Sequence, residues 1–246
     1  MLGNFNMISP SQEQQLGVQL SDQITKESHV LQDAEINNYI QAIGNKLVAA
    51  SKKPDEQYAF HVVDDKSVNA FAIPGGHLYV HTGLIAAAES EAELAAVMAH
   101  ELGHAESRHP TKSMSRAMGM QMISGMILGK EPGQMQSAAA NLITNGGISA
   151  YSRSAENEAD SIAVYLLNRS GYDPYAMVSF FEKLLEIEQR EGGGGSIGMS
   201  LFASHPDTVD RINQVKLLIQ SFGSERSSGV EIIGGFNKIK TKVKPK

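Results

Sequence analysis

The run His100-Glu101-Leu102-Gly103-His104 holds the residues of this 246-residue chain whose types and spacing could do chemistry. Side chains four apart on a helix lie one turn above each other, so both imidazoles face one point and can share a single Zn2+ ion. Glu101 then stands beside that ion, where a bound water would be. Gly103 in mid-helix costs about 1 kcal/mol against alanine, a cost that makes sense if something approaches the helix backbone closely. The chain contains no cysteine, which excludes thiolate zinc clusters, thiol nucleophiles and redox pairs. Any metal must therefore be held by histidine and carboxylate.

Two histidines leave a four-coordinate zinc short of one protein ligand plus water. An H-E-x-x-H-x-x-G-x-x-H arrangement fails, because Ser107 and Pro110 stand where its glycine and histidine belong and His109 is one place off. A glutamate from a later helix is available in Glu156-Asn157-Glu158-Ala159-Asp160. Glu156 and Asp160 lie four apart on one face, with Ala159 and Ala163 small enough to let two helices approach. Glu156 would ligate the metal, while Asp160 could bond an outer partner and fix the ligand helix. Arg211, one turn into a later helix, is the expected partner of Asp160. Glu158 fits a solvated face.

The elements that must position these groups follow from periodicity. Ser9, Pro10 and Gln12 form an N-cap, a first-turn proline and a capping-box partner for a helix with Leu16, Leu20 and Ile24 on one stripe. A second helix runs from about Asp33 through Ile36, Ile40, Ile43 and Leu47 to Ser51. Tyr58 to Val63, Phe71 to Ile73 and Leu78 to Val80 are short apolar runs that predict a small sheet, with a hairpin at Pro74-Gly75-Gly76. Ser90 and Glu93 box the start of the motif helix. Beyond Pro110 a methionine-rich helical segment (Met114, Met118, Met120, Met122, Met126, Met135) could be core or a movable flap, broken at Asn145-Gly146-Gly147. Further helices are expected from Ala155 to Arg169, from Asp173 to a flexible loop at Gly192 to Ser196, and from Asp207 to about Gly223. His77 and His81 in the hairpin have only a structural reading.

Five lysines fall in the last nine residues; since the whole chain carries -6, the other 237 residues sum to -11. An acidic body argues against nucleic acid as a partner. The lysines alternate with Ile239, Thr241 and Val243, a pattern open to an edge strand, a solvated tail or an anionic-surface contact. No stretch reaches the roughly 18 to 20 apolar residues of a transmembrane helix, and Met1 to Pro10 lacks the features of a signal peptide.

Four ordered motifs, H-E-L-G-H-A-E-S-R-H at 100–109, E-N-E-A-D at 156–160, N-A-F-A-I-P-G-G-H-L-Y-V-H-T-G-L at 69–84, and S-H-P followed by D-R at 204–211, together resemble metallopeptidase family 48 over about residues 10–222. That family includes the membrane CAAX prenyl proteases, the HtpX-like heat-shock proteases and soluble bacterial periplasmic relatives. The resemblance implies an α+β, zincin-like (gluzincin) domain, mainly helical with a small sheet. It implies one Zn2+ per chain held by His100, His104 and Glu156, with Glu101 as general base. Asn69-Ala70-Phe71 matches the family's edge strand, where a substrate peptide would add as an antiparallel strand. His205 falls in the S-H-P motif. It either donates to the oxyanion of the tetrahedral intermediate or takes the fourth zinc position and blocks water, with the Gly192 to Ser196 loop allowing it to move.

The expectation is one peptidase domain over 1–246: N-terminal helices at 1–55, the sheet and motif helix at 56–110, a helical part with the third ligand and the S-H-P motif at 111–222, and a tail at 223–246. The soluble relatives imply a zinc metalloendopeptidase acting on unfolded or misassembled polypeptides. They also imply a periplasmic or outer-membrane-associated setting, with contact to a membrane surface or an assembly machinery, and no signal or anchor in this chain. The competing readings are a zinc-containing chaperone that binds extended peptides with little cleavage, and a structural zinc site with no open position. Glu101 argues against a pure binder, which needs no base.

Overall fold

Both faces of a three-stranded sheet are covered by amphipathic helices in the computed structural model, which describes residues 5–128, 151–191, 205, 208–223 and 231–243. Helix α1 (Pro10–Glu27) starts with the reciprocal box that the sequence predicts: the Gln12 N–H donates to Ser9 Oγ, and the Ser9 N–H donates to Gln12 Oε1. Its stripe of Leu16, Leu20 and Ile24 packs on Val63, Ile73, Phe71 and Tyr79. On the opposite face, α2 (Ala34–Ala50) buries Ile36, Ile40, Ile43 and Leu47 in the main core.

The strands are β1 (Ala59–Val63), β2 (Ala70–Ile73) and β3 (His77–His81), in the order β1-β3-β2. The β2–β3 hairpin turns at Gly75 and Gly76, whose φ angles of 82° and 81° only glycine adopts without strain. β1 runs parallel to β3. Alternation of side chains sends Phe60, Val62, Ala70, Ala72, Leu78 and Val80 into the main core, and His61, Phe71, His77 and Tyr79 toward α1.

Under α1, His61 Nε2 lies 3.2 Å from His77 Nδ1, and its ring stacks on Tyr79 at 4.7 Å. Burial first, and the neighbouring His77 second, hold His61 down to about 4, while Asp22 of α1 opposes the similar lowering of His77. Between an unfolded value of about 6.5 and this folded value, the unfolded chain binds a proton that the folded chain does not. The contribution is therefore complete above pH ~6.5 and is lost as pH falls toward ~4. We expect the urea midpoint to drop across that window and His61→Phe, which keeps the ring stack, to flatten part of the drop.

A short helix that the sequence does not advertise, α3 (Thr82–Ala87), leads to α4 (Glu91–Glu106), the motif helix. Ser90 Oγ caps the Glu93 N–H, but the Glu93 carboxylate accepts from the Glu89 N–H, so only half of the expected box forms. The remaining helices are α5 (His109–Leu128), α6 (Arg153–Ser170), α7 (Tyr175–Glu191), α8 (Thr208–Ser221) and α9 (Phe236–Val243). Gly171 stops α6 with φ 86°. Among the methionines of the proposed flap, Met114 is half-buried; the side chains of Met118, Met120, Met122 and Met126 lie outside the described residues. So do Met135, the Asn145-Gly146-Gly147 break and the Gly192 to Ser196 loop. Among the described residues no helix is long and apolar enough to cross a membrane.

The C-terminal lysines are neither a strand nor a free tail where they are described: they belong to α9. Phe236 and Ile239 are buried. Lys242 bonds Asp33 at 2.9 Å and Glu35 at 2.8 Å, and Lys238 also pairs with Glu35. Lysines four apart share one helical face, and that face meets the acidic start of α2. The every-second-residue spacing hid this, because it fits a strand equally well.

Candidate metal centre

Helices α4 and α6 cross where Gly103 meets Ala159: a Cβ at Gly103 would stand 2.9 Å from the Ala159 carbonyl oxygen and 3.1 Å from its Cα. That close crossing is the reason for a glycine in mid-helix, and it brings Glu156 opposite His100 and His104. His104 Nε2 lies 3.0 Å from His100 Nε2, and each is 3.5 Å from a Glu156 oxygen. His205, at the start of the segment leading into α8, adds Nδ1 at 3.3 Å from His100 Nε2 and 3.0 Å from Glu156 Oε1. All four ligand atoms lie within 4.8 Å of one another. A tetrahedral zinc with bonds of about 2.0–2.1 Å spaces its ligands by roughly 3.3 Å, so this donor set fits one ion.

The remaining ring nitrogens and oxygens are fixed from behind. His100 Nδ1 is 2.9 Å from Asp160 Oδ1, which leaves Nε2 for the metal. Arg211 of α8 grips Asp160 with two bonds of 2.9 and 2.7 Å, and its third nitrogen lies 2.9 Å from Glu156. The Phe181 ring lies 4.6 Å below the guanidinium. Burial would raise the Glu156 carboxyl, but the hydrogen bonds of His100 and His205 override it and hold the group far below the usual carboxylate range. Burial and Arg211 press His100 down, yet Asp160 and Glu156 carry it up to about 9. Burial keeps His104 well below the ordinary histidine value, so its ring stays neutral and able to ligate.

Glu101 Oε1 sits 3.3 Å from His205 Nε2 without hydrogen-bond geometry, and has no other partner among the described residues. Burial is the main cause raising this carboxyl above its ordinary value. The Ala72 N–H of the sheet edge opposes this rise only slightly. On that edge the Asn69 carbonyl accepts from the His81 N–H and Phe71 pairs with Tyr79, so alternation turns the main chain of Ala70 and Ala72 outward from the sheet. The Asn69 side-chain oxygen is buried with no hydrogen-bond partner among the described residues. The Phe71 ring stacks on Tyr79 at 5.0 Å, on the α1 side.

The centre is closed: Glu101 is 2% exposed, His104 0% and His205 3%. Tyr151, just before α6, forms part of the closure and stacks on His104 at 4.1 Å. Nothing in its sequence neighbourhood singles it out beyond its place before the Ser152 cap. Glu158, expected on a solvated face, is half exposed but accepts from Ser107 Oγ at 3.0 Å and approaches His109.

A profile of peptidase family M48 matches residues 34–219. The beta-barrel assembly-enhancing protease of Escherichia coli K12 is 29% identical over 251 residues, covering 94% of this chain and 50% of that protein. Its Yersinia pestis counterpart is 31% identical over 225 residues, covering 85% of this chain and 46% of that one. The mitochondrial metalloendopeptidase OMA1 of Schizosaccharomyces pombe is 29% identical over 181 residues, covering 72% and 51%. The chain spans about half the length of these relatives. A profile match over most of the sequence, on a zincin-like α+β fold with a His-His-Glu cluster at its centre, places this chain in peptidase family M48, a family of zinc metallopeptidases.

Proposed function

We propose that the chain is one zinc metalloendopeptidase domain that hydrolyses peptide bonds of unfolded or misassembled proteins and is held at rest by His205. The observation that carries this reading is the convergence of His100, His104 and Glu156 on one point with Glu101 directly beside it. Zinc, when bound there, polarises the scissile carbonyl and brings the pKa of a water down to roughly 7. Glu101 Oε1, otherwise unpartnered, takes the proton from the attacking water and passes it to the leaving amine. Asp160 and Arg211 hold His100 and Glu156 in place without touching substrate.

A substrate strand would add along β2, using the outward main chain of Ala70, with the orphaned Asn69 oxygen as acceptor for a peptide N–H and Phe71 setting the strand's position from behind. Such recognition is mainly main-chain, which suits extended, unfolded segments. Relatives named for beta-barrel assembly support misassembled proteins as substrates and contact with an assembly machinery, and a periplasmic or outer-membrane-associated setting goes with that reading.

His205 points Nδ1 into the ligand set and Nε2 toward Glu101, so one side chain takes both the fourth vertex and the approach to the base. With the cluster almost fully buried, this geometry favours the inhibitory role over oxyanion stabilisation. We expect His205→Ala to raise casein cleavage severalfold while chelator still abolishes it. Lower activity would assign His205 to catalysis, and unchanged activity would remove both roles.

A further inference from the structure

We infer that His109, backed by Glu158, is a positioning residue for the ligand ring of His104. The two ring nitrogens, His104 Nδ1 and His109 Nδ1, are 2.8 Å apart, and His109 is 3% exposed. His104 offers Nε2 to the metal, so Nδ1 carries its proton and donates it to His109. His109 must then carry its own proton on Nε2, and that nitrogen faces Glu158 Oε2 at 3.4 Å. Ser107 Oγ donates to the other Glu158 oxygen at 3.0 Å. The result is a directed line of groups, each fixing the tautomer of the next, from the α6 surface to the ligand. A ligand histidine commonly leans on a carboxylate or a carbonyl. Here a second histidine is interposed, and it is the same residue that falls one position away from a ligand place in the alternative motif.

The backbone is bent to make this contact. Arg108, between α4 and α5, has φ 55°, a left-handed conformation that disfavours any residue but glycine. That residue reverses the chain so that His109, the first residue of α5, faces back onto the last turns of α4. Its guanidinium is held by Glu13 and by the Ile8 carbonyl at 2.7 Å. The adjoining turn of α5 is strapped by Asn6 to Thr111 and by the Met7 N–H to Ser115 Oγ, both at 2.9 Å. Tyr151 covers the face of the His104 ring, so the stack and the His109 bond together remove its freedom to rotate.

This inference rests on the zinc-site reading above, and the two are separable by experiment. The zinc dissociation constants of wild type, His109→Ala, His109→Gln and Glu158→Gln are measured by chelator competition, alongside the thermal midpoint of each metal-free protein and kcat and KM on a casein-derived peptide. Outer partners of zinc ligands are typically worth 10–100-fold in affinity or activity. His109→Ala is expected to weaken zinc by that factor and to lower kcat with KM nearly unchanged. His109→Gln can accept from His104 and donate to Glu158, so it should recover affinity to within a few-fold, as should Glu158→Gln, which still accepts. Wild-type affinity in His109→Ala would overturn the inference, and so would equal losses in the alanine and glutamine variants at equal metal-free stability. Failure of wild type to bind one zinc would overturn the zinc-site reading itself, and this inference with it.

Discussion

Glu101→Gln should abolish peptide-bond hydrolysis, by about 10²–10⁴-fold, both in the wild-type chain and in the His205→Ala background. The amide keeps the volume of the carboxylate and the approach to the Ala72 N–H, but it has no basic oxygen to take a proton from water. Zinc content should stay at one per chain, because Glu101 is not among the four clustered ligand atoms. Performing the substitution in both backgrounds matters: a resting enzyme blocked by His205 could hide the loss, whereas the unblocked one displays it fully. Casein cleavage read with and without chelator is the measurement. Retained cleavage would remove Glu101 from the mechanism. Absence of cleavage in every background, with intact binding of extended peptides, would favour the chaperone reading.

Glu91→Gln should lower stability by about 3 kcal/mol, the cost of leaving a buried donor without the carboxylate oxygen it faced. For a chain of this size that corresponds to a fall of about 10 °C in Tm. Glu91, the first residue of α4, is 0% exposed. Its oxygens accept from Tyr39 and Tyr172 hydroxyls, each at 2.9 Å, and from the N–H groups of Ile232, Ile233 and Gly234 at 2.8, 2.8 and 2.9 Å. A glutamine would turn an NH2 group onto one of these donors and leave it unsatisfied. This carboxylate joins α2, the turn between α6 and α7 and the chain before α9 to the start of the metal-binding helix. Its loss should therefore also loosen the lysine-bearing helix. A surface pair such as Glu182 with Lys216, 2.9 Å apart but about half exposed, is the matched control, and Glu182→Gln should change stability by at most ~1 kcal/mol. Thermal unfolding of the two variants side by side distinguishes a buried anchor from a generic charge effect.

The contrast between Glu101 and Glu91 shows what could be seen in the sequence. Glu101, His100 and His104 lie within one helical turn and a half, so spacing alone assembles them. Glu156 and Asp160 could be paired with that helix because Gly103, Ala159 and Ala163 promised a close crossing, and the crossing occurs at Gly103 and Ala159. The first two helices and the hairpin were equally legible, since their signals are local caps, stripes and glycines. Glu91 gave no such signal: its partners lie 52, 81 and 141 to 143 residues away, and nothing local distinguishes it from the other acids at the start of α4. The parallel pairing of β1 with β3 and the docking of the lysines on α2 are likewise long-range results. His109 was visible only as a failed ligand. Its contact with His104 depends on the left-handed turn at Arg108, where a glycine would have been the usual sign. Tyr151 closes the site through a ring stack that no spacing rule anticipates.

A crystal structure of the zinc-loaded protein, with anomalous difference maps on both sides of the zinc absorption edge, decides whether one ion sits between α4 and α6. One strong peak per chain is expected, bonded at about 2.0–2.1 Å to His100 Nε2, His104 Nε2, a Glu156 oxygen and, in the resting state, His205 Nδ1. A peak bonded elsewhere, or no peak between α4 and α6 at full zinc loading, would contradict the zinc-site reading.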